Sequence, residues 1–174
     1  MKEHYTHLHS KRVRHNTLLL ADKFGLDQTR KRAIGFGALL HDVGKIAVPD
    51  SILLKPEQLT DAEQRIMRNH PSAGYDILKK IGFLSEAAEI VYAHHEHYDG
   101  SGYPRGLKGK DIPLGARLFA VVDVYDALTS ARPYHIPLSH EEALTMIRKE
   151  SNRHFDPEAV KAFLAISQNE LNKF

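Results

Sequence analysis

The 174-residue sequence contains no cysteine. Without a thiol there is no disulfide frame, no thiolate metal site and no cysteine nucleophile. Any bound metal would have to sit on nitrogen and oxygen donors. The absence suits a reducing compartment, and the expected location is the cytoplasm. No apolar run approaches the roughly 20 residues that span a bilayer, and Met1-Lys2-Glu3-His4 opens no apolar signal core. The net charge is only +2, too mild a field to argue for a nucleic acid polymer or a membrane surface as partner. There is no internal repeat and no low-complexity segment. No stretch alternates convincingly over the length of a strand.

What remains is ordinary for one soluble globular domain spanning residues 1–174, with 42% hydrophobic and 26% charged residues. The compositional oddity is twelve histidines. Two of them are adjacent in His94-His95-Glu96-His97-Tyr98-Asp99-Gly100-Ser101-Gly102-Tyr103-Pro104, and His41-Asp42 forms a second cluster upstream, followed by Gly44 and Lys45. Neutral imidazole and carboxylate are the ligand set of divalent transition metals. Two such clusters in one small chain suggest a polynuclear metal site.

Nearly every regular segment reads as helix. Apolar spacing at Val13, Leu18 and Leu20 predicts a helix over 4–24, closed by Gly25. A second helix, 28–42, ends in the His-Asp pair. Thr60 and Glu63 form a capping box that opens a third helix running to His70. Short helices follow at about 72–80 and 86–97, then a glycine- and proline-rich loop over 98–113 and a longer helix over about 114–130. Ser139 with Glu142 caps another, and Asp156 with Pro157 opens the last. The expected fold is an all-α bundle of seven or eight helices with one long loop near the site.

His9, His41-Asp42, His70, His94-His95 and Asp123 fall on different helices, beside core residues such as Val13, Leu40, Val91 and Val122. Each ligand candidate therefore sits at the margin of an apolar face, where bundle helices converge. A carboxylate such as Asp42 can bridge two cations, an arrangement that can activate a water and clamp a phosphoryl oxygen. A lone helical histidine is more often structural or solvated, and His4, His7, His15, His140 and His154 are left unassigned. Asp123 follows the apolar run Leu118–Val122 and needs a partner if buried. That partner is either a cation or an arginine such as Arg117.

These residues resemble a known family. His41-Asp42 is similar to the signature of the HD phosphohydrolase superfamily. His41-Asp42-Val43-Gly44-Lys45 with Pro49 and Ile52–Pro56 resembles the HD-GYP subfamily. So do His94–Pro104 with Gly106-Leu107 and Ile112-Pro113, the run from Asp123 and Asp126 to Arg132-Pro133-Tyr134, and Phe155-Asp156-Pro157. The ordered series covers about His9 to Phe163. The resemblance implies an HD-domain helical bundle and a phosphodiesterase that hydrolyses the bacterial second messenger cyclic di-GMP, by a metal-activated water, to pGpG or GMP. It implies His9, His41, Asp42, His70, His94, His95 and Asp123 as ligands of two divalent metals, iron or manganese, with nickel or zinc as alternatives. Asp42 and Lys45 would be the catalytic pair. Lys45, Gly102, Tyr103, Pro104, Arg132 and His135 would contact substrate.

Two positions depart from the family pattern. Tyr5 stands where trimetal members carry a glutamate, which argues against a third metal. His135 stands where lysine is usual. Glu96, His97 and Asp99 read equally as supports of the site or as solvated loop. Tyr103 either stacks on guanine or packs the loop. Alternatives to cyclic di-GMP hydrolysis are another cyclic dinucleotide, such as cyclic GMP-AMP, or a silent module that senses cyclic di-GMP or docks on a diguanylate cyclase. Family members carry receiver or sensor domains, so this chain reads as an output domain, a fragment or the partner of a separate protein. A homodimer is compatible with it.

Overall fold

The computed structural model describes residues 2–131 and 136–173, with side chains from residue 8 onward. Arg132 and His135, two of the expected substrate contacts, and the side chain of Tyr5 lie outside the described residues. The helices are α1 (Lys2–Lys23), α2 (Gln28–Leu40), α3 (Asp50–Leu53), α4 (Asp61–Met67), α5 (His70–Leu78), α6 (Ser85–Ala93), α7 (Leu114–Thr129), α8 (His140–Lys149), α9 (Pro157–Phe163) and α10 (Gln168–Leu171). Short 3-10 segments lie at Val43–Ala47, Gly82–Leu84 and Gly109–Asp111. The all-α expectation holds among the described residues. The eight expected helices are present, and α3 and α10 add two single turns.

Local chemistry accounts for several boundaries. Thr60 with Glu63 and Ser139 with Glu142 each form a reciprocal capping box, as expected. Asp156 accepts a hydrogen bond from the Glu158 amide, with Pro157 at the first helical position. Helices α2, α4 and α6 end earlier than expected, and for α2 and α6 the difference has a tertiary cause. Helix α2 stops at Leu40, α4 at Met67 and α6 at Ala93, where longer helices were expected. After α2 the chain tightens into a 3-10 turn because Gly44 lies against α5. A Cβ at Gly44 would stand 1.9 Å from the His70 carbonyl oxygen and 2.4 Å from the Gly74 amide nitrogen. After α6 the His95 carbonyl is taken by the Tyr103 amide at 3.1 Å, which draws the long loop back over the helix end.

Helix α7 is the central element. Leu118, Phe119, Val121 and Val122 are all inaccessible to solvent, so it is apolar around most of its circumference, as a core helix should be. It packs against α1, α2, α6, α8 and α9. The main core joins Val13 and Leu20 of α1 to Ile34 and Ala38 of α2, Ile90 of α6, Ile147 of α8 and Phe163 of α9. A smaller cluster of Leu78, Leu84, Ala88 and Val91 ties α5 to α6. No helix among the described residues is long and apolar enough to cross a membrane.

Candidate metal centre

The helix ends that fell short of expectation carry the candidate ligands. His41 caps α2, His70 begins α5, and His94 caps α6. In each, Nδ1 meets a main-chain carbonyl three residues back: Ala38 at 2.8 Å, Met67 at 2.8 Å and Val91 at 2.7 Å. A carbonyl only accepts, so Nδ1 carries the proton and Nε2 presents its lone pair. The last carbonyls of a helix have no intrahelical partner, and here they orient imidazoles.

The structure brings six of the expected ligands into two groups. One is His70, His94 and His95; the other is His9, His41 and Asp123, and in each the donor atoms lie within 4.8 Å of one another. Asp42 lies between them. Its Oδ2 is 3.4 Å from His41 Nε2 and its Oδ1 is 3.5 Å from His70 Nε2. The two groups also touch through the ring contact of His41 with His94, while His41 meets His9 within its own group.

The chemistry of the donors fits a metal. His70 Nε2 faces His94 Nε2 at 3.2 Å, and both nitrogens are proton-free when Nδ1 serves the carbonyls. Two lone pairs pointed at each other in a buried place need an electron-poor centre beside them. Burial holds His94 well below the usual imidazole range, with the neighbouring imidazoles acting in the same direction. His95 is pushed down to about 3, chiefly by burial, and burial lowers His70 as well. These three are neutral donors. His41 differs: burial disfavours its cation, but the carboxylates of Asp42 and Asp123 outweigh burial and raise it. Asp42 is driven below the carboxylate range by His41 and Lys45, against the opposing effect of burial.

Lys45 lies four residues beyond His41, but α2 has ended by then and the lysine sits on the 3-10 segment Val43–Ala47, not on a continuing helix. From there Nζ donates to Asp42 Oδ2 at 2.6 Å, with the side chain more than a third exposed. Asp123 is not partnered by Arg117, which donates to the Ile112 carbonyl and pairs with buried Asp156.

The loop over 98–113 closes onto the site through Glu96. This buried carboxylate accepts the amides of Arg105 at 2.7 Å and Leu107 at 3.0 Å. Gly102 passes so close to the end of α6 that a Cβ would lie 2.3 Å from the His97 amide nitrogen. Tyr103 stacks on His95 at 4.8 Å between centroids, and the Arg68 guanidinium lies 5.2 Å from the same ring. Pro104 follows Tyr103 at the exposed edge of the loop. His97 meets Ser101 and His154, and Asp99 accepts the Ser101 amide, so both serve the loop itself.

The sequence reading named Asp126 only within the family-like run, without a role, and did not name Arg12. Asp126 accepts from His9 Nδ1 at 2.7 Å, and Arg12 donates to both Asp126 oxygens at 2.7 and 3.1 Å. The signal was present: Arg12 follows His9 by three positions and Asp126 follows Asp123 by three, which puts each pair on one helix face.

Residues 2–159 match the sequence profile of the family described as "HD domain". The chain belongs to the HD domain family. This HD domain is 48% identical over 155 residues to the cyclic di-GMP phosphodiesterase response regulator RpfG of Xanthomonas campestris, covering 88% of this chain and 41% of that protein. It is 44% identical over 165 residues to a cyclic di-GMP phosphodiesterase of Thermotoga maritima, covering 94% and 45%. The chain thus spans less than half the length of these curated relatives. Its fold matches a crystal structure of a cyclic GMP-AMP specific phosphodiesterase from V. cholerae, with TM-score 0.73 and 21% identity over 94% of this chain and 45% of that one. HD domains are metal-dependent, and the two donor groups can hold metals.

Proposed function

We propose that this HD domain is a metal-dependent phosphodiesterase that hydrolyses cyclic di-GMP to pGpG, GMP or both. The observation that carries this reading is Asp42, whose two oxygens face two separate three-donor groups. That disposition supports two cations held side by side on His9, His41, Asp42, His70, His94, His95 and Asp123. Iron and manganese suit this N/O set. When bound, such ions polarise a phosphoryl oxygen and lower the pKa of water. A third cation is not part of the proposal, because Tyr5 replaces the acidic residue that would help to hold it.

The chain's own residues supply the rest. Lys45 gives Asp42 its only described ammonium partner and stands at the exposed edge of the site. On substrate binding, the ammonium is placed to transfer part of this interaction to a phosphoryl oxygen, where it stabilises charge developing in the transition state. His95 keeps its orientation because Tyr103 covers its ring. Gly102, Tyr103 and Pro104 form the wall of the loop that faces an incoming nucleotide, and Arg132 and His135 are proposed as further substrate contacts. The names of two relatives of this chain, both cyclic di-GMP phosphodiesterases, point to the same substrate class.

The test is turnover by metal-loaded protein, purified without oxygen, of cyclic di-GMP, 3'3'-cyclic GMP-AMP and cyclic di-AMP, with products separated by chromatography. Cyclic di-GMP should have the highest kcat/KM. Preference for cyclic GMP-AMP would replace the substrate but keep the reaction. Full metal loading with binding and no hydrolysis would overturn the enzymatic reading.

A further inference from the structure

We propose that Asp126 is a positioning residue of the metal centre. It holds His9 as its Nδ1–H tautomer, so that Nε2 presents a lone pair to the cation position shared with His41 and Asp123, and Arg12 fixes Asp126 in turn. The proposal rests on His9 being a ligand, as in the proposed function.

His41, His70 and His94 each give Nδ1–H to the carbonyl three residues back, on Ala38, Met67 and Val91. All three carbonyls lie in the last turn of a helix, α2, α4 and α6, where they have no intrahelical partner. His9 cannot use this device. It lies in the interior of α1, with more than three turns of helix after it, and interior carbonyls are already engaged by amides four residues on. The proton on Nδ1 therefore needs an acceptor from another element.

Helix α7 provides it. Asp123 and Asp126 lie three residues apart on α7, and His9 and Arg12 lie three apart on α1, so the two helices meet in two rungs. The imidazole of His9 is threaded between the carboxylates. Its Nε2 is 3.5 Å from Asp123 Oδ1, and its Nδ1 is 2.7 Å from Asp126 Oδ2. Asp126 is 3% exposed. A carboxylate so placed must have its oxygens satisfied. Arg12 supplies Nε to Oδ1 at 2.7 Å and Nη2 to Oδ2 at 3.1 Å, a fork that fixes the carboxylate plane. Nη2 also reaches Ser130 Oγ at 3.0 Å, anchoring the guanidinium to the end of α7.

A carboxylate behind a ligating imidazole does more than orient it. It raises the basicity of the ring relative to a carbonyl partner, and loss of such a partner typically weakens metal binding 10–100-fold. The two cation positions are therefore not equivalent. The His9, His41 and Asp123 position has one carboxylate in the set and another behind it. The His70, His94 and His95 position has three imidazoles, none described with a carboxylate at Nδ1. Removing Asp126 should weaken the first position and spare the second.

The test measures Mn2+ binding to the metal-free 174-residue chain by calorimetry and elemental analysis. Asp126→Asn should weaken one of two binding events by about 10–100-fold and leave the other unchanged. In a His9→Ala background the same change should have no further effect, because its route runs through that ring. An equal further loss would overturn the proposal, and so would equal weakening of both events. Long-range nitrogen–proton spectra of the metal-free protein give a readout that needs no cation. His9 should be the Nδ1–H tautomer in the wild type and lose that preference in Asp126→Asn; an Nε2–H ring in the wild type would overturn it. If Asp126→Asn does not fold, Arg12→Gln with Asp126→Asn removes both charges together and carries the same expectations. Wild-type protein that binds two Mn2+ but hydrolyses no cyclic dinucleotide would sink the proposed activity alone, since the role of Asp126 is read from binding.

Discussion

His70 Nε2 lies 3.2 Å from His94 Nε2, while both rings give Nδ1–H to main-chain carbonyls at helix ends. Two proton-free nitrogens in contact are a poor arrangement unless something cationic shares their lone pairs. The site is thus built for a state with metal, and the metal-free protein carries the cost. Any cation that binds the folded chain and not the unfolded one stabilises it, by about 2.7 kcal/mol at one hundred times Kd. Mn2+ should raise the melting temperature, and His95→Ala should reduce that rise by removing one donor of the group. A melting temperature that ignores Mn2+ would argue against a preformed cation site.

Asp42→Ala should cost about 10³-fold or more in turnover, the scale of several kcal/mol of metal-assisted stabilisation. It should also lower metal content, since one donor is lost from both groups at once. The fold should survive, because Asp42 lies outside the apolar clusters. Elemental analysis and circular dichroism on the same preparation separate the two effects. Turnover at the wild-type level with unchanged metal would remove Asp42 from the centre.

Lys45→Met should lower kcat by about 10²-fold, the loss typical of one preorganised electrostatic donor, with metal content nearly unchanged. The Michaelis constant should change little if the charge acts mainly in the transition state. The alternative is a surface ion pair with Asp42, worth about 0–1 kcal/mol of stability. In that case the variant would turn over normally and melt slightly earlier.

Much of the fold was legible because its signals are local. The capping boxes at Thr60 and Ser139, and Pro157 at the start of α9, set boundaries within a few residues of themselves. The ends of α2 and α6 fall two and four residues short of expectation because they depend on distant backbone: Gly44 against His70, and Tyr103 bound to the His95 carbonyl. The single turn α10 carries its own capping box, Ser167 with Glu170, which went unread. At the site, the residue types and their adjacency in sequence pointed to a metal. Asp126 and Arg12 did not stand out, since their importance lies in a contact across more than a hundred residues. Lys45 reaches the site from the 3-10 segment that follows α2, a geometry set by Gly44 against α5 and invisible in the local sequence.

Glu96→Ala should loosen the loop that carries Gly102-Tyr103-Pro104. It strands two amides, those of Arg105 and Leu107, and a hydrogen bond to a charged acceptor contributes about 1.5–3 kcal/mol. Partial access of those amides to water reduces the loss, so about 2 kcal/mol in total is expected from urea unfolding with an unchanged m-value. Glu96→Gln retains one acceptor oxygen and should lose less. Equal stability of wild type and Glu96→Ala would show that the loop is held by other contacts.

Acid should destabilise the metal-free protein in a window set partly by His154. In the unfolded chain a histidine titrates near 6.5. In the folded chain His154 is pushed down to about 4, first by burial and then by the neighbouring His97. Its ring lies 4.0 Å from that of His97 and stacks on Phe155 at 4.2 Å. Between these two values the unfolded chain binds a proton that the folded chain refuses, so stability increases with pH there. The contribution is intact above about pH 6.5 and is lost progressively as pH falls toward about 4. His95 works in the same direction from the same starting pH and further down, to about 3, which is why a difference between variants is the cleaner measurement. His154→Gln removes the titration and keeps a polar side chain of similar reach. Urea midpoints of the metal-free proteins, taken at about pH 7.5, 6 and 5, should converge as the pH falls, because only the wild type keeps losing stability through this group. Parallel lines across that range would mean that His154 takes up its proton in the folded state as readily as in the unfolded one.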